Sequence, residues 1–388
     1  MLTRILMMLA PLHWIGAQRP DTSTVRVLFE LRSDPTLIKA GFGEVSGLAF
    51  DRAGRLYVSD FQEAHIVVID QSGRVAALVG RRGTGPGEFS APTGPAFGSD
   101  GTLYVRDLQW VHRFRVNQRT GVADRFAGKF FASANPMPLS KIATGVHRSG
   151  DLLVPSAKTA LGGADRHYYV RFSPDGTRGD SIPVPPYPNI VPYIAYFALG
   201  ERGGRVVKDL NAAPFEAAAV WAVNLDGNVV SSSGNAYSLT ESGLNGVELG
   251  QYERSIAPAR IHPQVRAESL AALRSRVAAL PVPVGQLMGT TELVRQGRVP
   301  DFYPVISGVS LGAGREVWVQ RPPEGSRTTT FDVFSASRHY ARSVVVPRIC
   351  APKPAPVVLR NRVACVVRDV DSGEDGVIVA IVERQGER

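Results

Sequence analysis

Three histidines raise the question of chemistry first. His65 and His112 stand 47 positions apart, and His167 lies one residue out of register with them in a later, looser unit. A histidine trio is zinc-ligand chemistry when its nitrogens converge to about 2 Å from one point. Asp60 and Asp107 recur at the same offset, and carboxylates hold calcium where several oxygens meet. Of the other histidines, His147, His262 and His339 share no spacing. The glycine-rich stretch from Gly80 to Gly87 lacks the Gly-Lys-Ser/Thr ending of a phosphate loop, and it precedes a strand rather than a helix. No Gly-x-Ser-x-Gly nucleophile motif occurs; Gly43-Glu-Val-Ser-Gly47 is spaced differently. Whether any of these residues converge depends on the elements that carry them.

Those elements repeat. Gly47 returns as Gly94, Ala49-Phe50 as Ala96-Phe97, Gly54 as Gly101, and Leu56-Tyr57-Val58 as Leu103-Tyr104-Val105. Hydrophobic side chains alternate with a period of two, so the unit is built of strands and turns. Units of roughly 40–50 residues of this kind are the blades of a β-propeller. Blade one covers about 45–79, with Asp51-Arg-Ala-Gly54 and Asp70-Gln-Ser-Gly73 as hairpin turns. Blade two covers about 93–128, blade three 142–184, blade four 217–253 and blade five 305–346. Blade six offers three strands at the C-terminus, 356–359, 363–368 and 376–383, and lacks a fourth. Residues 25–31 read as an unassigned strand at the other end of the chain. Placing that strand on blade six closes the ring and removes the open edges that invite aggregation. The expected fold is therefore an all-β, six-bladed propeller spanning 21–388, with a helical insertion over 251–304.

The segment from Gly80 through Pro86-Gly87-Glu88-Phe89 to Gly94, followed by Gly101-Thr-Leu-Tyr-Val-Arg-Asp107, resembles the NHL repeat. The match covers about 41–128. The whole chain resembles exported bacterial propellers of the NHL and TolB-like kind. The resemblance speaks to fold and leaves function open. Some NHL-type propellers are zinc lyases with histidines near the axis, and sugar-lactonase propellers hold calcium there. In this chain the three histidines begin strand C, third from the axis, with strands about 4.8 Å apart. Equivalent atoms on neighbouring blades then stand more than ~10 Å apart, too far for a shared zinc. The histidines are expected to pack between blades, and Asp60 and Asp107 to bind backbone N–H groups in turns. No metal, cofactor or catalytic residue is assigned. A metal-dependent lyase or lactonase in the central channel is the alternative to a binding module.

Strand order fixes two faces. A–B and C–D turns share one; B–C loops and D–A connections share the other. The A–B and C–D turns are short, whereas the long segments 80–93, 185–215 and 251–304 fall at D–A connections, so that face is the expected working face. Arg81, Arg82, Glu88 and Trp110 are the expected ligand contacts, with Tyr193 and Tyr196 next. The ligand class is a peptide, a protein or a glycan. Segment 251–304 carries a helix expected over 268–280, with Leu270, Leu273, Val277 and Leu280 on one face and Pro281 as its stop.

The chain has 388 residues and a net charge of +9, with basic residues scattered rather than in runs. No nucleic-acid module is visible, so nucleic acid is not an expected partner. Residues 1–17 have the basic start, apolar stretch and small-residue end of a secretory signal peptide. No later apolar run reaches the ~18 residues of a membrane span. The expected location is the periplasm or the exterior. Cys350 and Cys365 are open to two readings, one bridge or two buried thiols.

Overall fold

The computed structural model describes residues 22–23, 25–32, 42–132, 142–158, 166–187, 193–199, 205–212, 215, 217–279, 288–289, 300–323, 327–368 and 374–383. The leader expected over 1–17 lies outside them.

Six antiparallel sheets form the blades of one ring. Blade one is Val45–Phe50, Leu56–Asp60, His65–Ile69 and Val75–Val79, from axis to rim. Blade two is Pro92–Phe97, Leu103–Asp107, Trp110–Val116 and Ala123–Phe131. Blade three is Gly145–Val146, Leu152–Lys158, Arg166–Phe172 and Arg178–Pro183. Blade four is Val220–Val223, Val229–Ser232, Ser238–Ser242 and Glu248–Glu253. Blade five is Gly308–Leu311, Val317–Gln320, Thr329–Phe334 and Tyr340–Val346, with Thr22–Ser23 added in parallel at its rim.

Blade six is Val357–Leu359, Arg362–Arg368 and Asp375–Val382, and its outermost strand is Val25–Leu31. That N-terminal strand pairs antiparallel with Asp375–Val382, Val25 opposite Val382 and Leu31 opposite Val377. The expected closure is therefore the observed one.

Local chemistry explains the hairpins. In the first A–B turn the Gly54 N–H donates to the Asp51 carbonyl at 3.0 Å, and the Asp51 carboxylate accepts from Arg55 N–H at 2.9 Å. Gly54 sits at φ 85°, a conformation glycine adopts without steric cost. Alternating apolar residues then face neighbouring blades. The core is accordingly divided into six clusters, one at each seam of the ring. Val58 and Val67 of blade one meet Val366 and Val379 of blade six. Blades one and two meet at Tyr57, Ile66, Leu103 and Phe114. Blades two and three meet at Tyr104 and Val170, three and four at Tyr169 and Trp221, four and five at Leu239 and Phe334, five and six at Val344 and Ile378. Among the described residues each seam is thus filled by apolar side chains from both flanking blades.

Two details differ from expectation, and one open reading is resolved. The helix spans Pro263–Ala278, starting five positions before the expected 268. Proline suits a first helical position, where its missing N–H is not needed, so the apolar stripe alone placed the start too late. Between blades three and four, Tyr193–Leu199 and Arg205–Ala212 form a hairpin joined by Met288–Gly289, a small sheet that the Pro-rich composition of 185–215 did not announce. Finally, Cys350 and Cys365 are bridged.

Candidate functional site

His112 and His167 are side chains of the seams, and His65 is buried. His112 is buried and stacks on Phe89 at 5.2 Å, with Phe126 edge-on at 5.6 Å. His167 leans on Trp221 at 5.3 Å. Burial lowers the His65 and His112 pKa values, with Asp60 and Asp107 respectively pulling the other way. Among the described residues, no group of three or more His, Cys, Asp or Glu side chains is placed to hold a metal ion.

The recurring aspartates bind backbone. The buried Asp60 carboxylate accepts from Gly43 N–H at 2.8 Å, Glu44 N–H at 3.3 Å and Glu63 N–H at 2.8 Å. Asp107 accepts from Ser90 N–H at 3.0 Å and Ala91 N–H at 2.6 Å. Each therefore fixes the D–A connection that enters its own blade: the expected backbone N–H partners are found, but mostly on that connection rather than in a turn.

On the D–A face the connection 80–91 is tightly organised. Arg81 donates to Glu88 at 2.9 Å, and Glu88 also accepts from Gly85 N–H at 2.9 Å. The Gly85 N–H and then Arg81 hold the Glu88 carboxyl below the usual range. Arg82 donates to the Gln62 carbonyl in the B–C loop of blade one. Gly80, at φ 76°, leaves no room for a side chain: a Cβ there would lie 2.3 Å from the Phe89 ring. Arg81, Arg82 and Glu88 thus meet partners within the chain, and their first evident effect is to shape this connection.

Trp110 opens strand C of blade two, beside the B–C loop, and is 38% exposed. It pairs with Phe131 across the C–D ladder, the two rings meeting edge-to-face at 5.7 Å. The Lys129 ammonium lies 5.0 Å from the Trp110 ring centre, a cation–π arrangement. Leu108, held at φ 53°, and Phe131 are likewise exposed. Phe131, Lys129 and Leu108 were not among the expected contacts. The register between Trp110–Val116 and Ala123–Phe131 brings Phe131 opposite Trp110, and that register depends on bulges the sequence does not mark. The Phe89–His112 stack joins the 80–91 connection to the same strand as Trp110. Tyr193 and Tyr196 lie in the inserted hairpin, opposite Ala212 and Lys208; their side chains fall outside the described set.

A second exposed apolar group lies at blade four on the opposite face, with Leu225, Leu244 and Val247 in its turns and Leu249 at the start of its outer strand. Around the axis, the innermost strands of all six blades line a cavity of about 360 Å³. Phe50, Phe97, Val146, Val223, Leu311 and Leu359 each contribute one wall.

The chain matches no family model and no curated protein sequence. Solved structures similar to it include virginiamycin B lyase from Staphylococcus aureus, at 11% identity over 92% of this chain and 98% of that one, with a TM-score of 0.43. The PQQ-bound aldose sugar dehydrogenase from Streptomyces coelicolor is 15% identical over 94% and 99%, with a TM-score of 0.44. Regucalcin, a calcium-binding protein from Agrobacterium tumefaciens, is 11% identical over 94% and 97%, with a TM-score of 0.39. At these identities the likeness concerns the fold. Among the described residues, no helix is long and apolar enough to cross a membrane.

Proposed function

We propose that this protein is a non-catalytic, exported binding propeller of the NHL-like kind, which takes a peptide, protein or glycan on its D–A face. The observation that carries this reading is the exposed Trp110–Phe131 pair with Lys129 over the indole. Large aromatic side chains rigidly held at a surface are the usual anchors of a binding site, because they bury much area at small entropic cost. Arg81, Arg82 and Glu88 organise the neighbouring connection and form the polar margin of that site. The Cys350–Cys365 bridge supports export, since such bonds persist in oxidising compartments.

The test is direct. The purified chain is screened on glycan and random-peptide arrays, and each ligand found is titrated against Trp110→Ala and Phe131→Ala. Both variants should weaken binding at least about tenfold with an unchanged melting temperature. Val247→Ala, on the opposite face, should bind normally. A ligand whose affinity ignores Trp110 and Phe131 but depends on Val247 would move the site to the other face and defeat the proposal.

A further inference from the structure

We propose that the axial cavity is a second site, which binds a small monocarboxylic acid with an apolar body, the carboxylate seated on Lys353. The inference is independent of the D–A face. Its volume of about 360 Å³ lies in the range of small-molecule pockets. Its walls are mainly apolar, with Leu48, Phe50, Phe97, Trp221 and Leu311 among them. Against that surface stands one lysine, Lys353, on the connection between blades five and six.

Burial lowers the Lys353 pKa, and among the described residues no neighbouring charge offsets it. An ammonium in apolar surroundings without a counter-charge is costly, and a ligand carboxylate supplies the missing partner. The connection that carries the lysine is anchored at both ends. Cys350 is bridged to Cys365, its N–H donates to Thr329 Oγ1 at 2.7 Å, and its carbonyl accepts from Gln320 Nε2 at 2.8 Å. At the far end Ser310 Oγ donates to the Pro356 carbonyl at 2.7 Å. A lysine on so fixed a segment loses little freedom when a ligand arrives.

The opposite wall, three blades away, presents Thr144. Its buried Oγ1 has no hydrogen-bond partner. The cavity therefore has a cationic end and a mainly apolar body.

The experiment titrates the full chain calorimetrically with octanoate and with octan-1-ol, and repeats both on Lys353→Met. Octanoate should bind one-to-one with a dissociation constant of about 1 mM or below. Lys353→Met should weaken octanoate at least about tenfold, the worth of a charge-assisted hydrogen bond, and leave octanol unchanged. A second readout needs no variant: octanoate should slow reductive methylation of Lys353 severalfold in the wild-type chain and leave exposed Lys129 unaffected, as read by mass spectrometry. Absence of octanoate binding, equal binding by Lys353→Met, or unprotected Lys353 would each overturn the assignment.

Discussion

Arg26 lies 3.3 Å from Glu383, its partner across 357 positions of chain. The pair is exposed and contributes little energy by itself. It marks the place where the two ends of the protein become one strand pair, and the apolar seam beneath it supplies the stability. Leu31 packs into the cluster between blades six and one, with Leu28 and Phe29 against its edge. Every residue placed on a face, Trp110 and Lys353 included, takes its position from that closure.

Removing the Asp60 carboxylate should unsettle blade one. Three part-buried backbone N–H groups would lose their acceptor, and the net worth of each hydrogen bond to a charged group is about 1 kcal/mol or more. Asp60→Ala should therefore destabilise the protein by about 3 kcal/mol or more, and Asp60→Asn by less, as read in urea melts. Equal stability of Asp60→Ala and wild type would show that the aspartate is not the organiser of this connection.

The disulfide closes a loop with a sequence separation of 15. Loop-closure entropy makes such a bond worth about 3 kcal/mol. The double variant Cys350→Ala, Cys365→Ala should lose roughly that much and should also loosen the segment carrying Lys353. Thiol titration of the unfolded wild-type protein without reductant should find no free cysteine; two free thiols would refute the bridge.

Stability should fall on mild acidification. His65 and His112 have folded-state pKa values below their unfolded value near 6.5, chiefly from burial. Their contribution is whole above that pH and declines below it, because the unfolded chain takes up protons that the folded chain refuses. The slope is up to about 1.4 kcal/mol per pH unit for each imidazole. Carboxylates such as Asp175, held down to about 2 chiefly by the Ser173 hydroxyl, act only below about pH 4. Urea unfolding between pH 7 and 5 should show the decline, and His112→Gln should flatten it by about one proton. An unchanged slope would mean that His112 is protonated in the fold.

Much of the architecture was legible because blades report themselves locally. The 47-residue offset, the Asp-x-x-Gly turns and the spare strand 25–31 are short-range signals, and they led to the right ring. The aspartates were legible for the same reason. What stayed hidden depends on proximity across the ring. Phe131 meets Trp110 only through a bulged register, and Lys353 joins the axial cavity from the connection between blades five and six, which no local motif marks. The hairpin from Tyr193 to Ala212 was hidden by flanking prolines that read as loop. Helix start 263 was hidden because polar residues precede the apolar stripe.

The most direct test of the account is amide hydrogen exchange along Val25–Leu31. The closed ring predicts protection of these amides comparable to that of Asp375–Val382, the strand they pair with. Free exchange at Val25–Leu31 beside a protected Asp375–Val382 would contradict it.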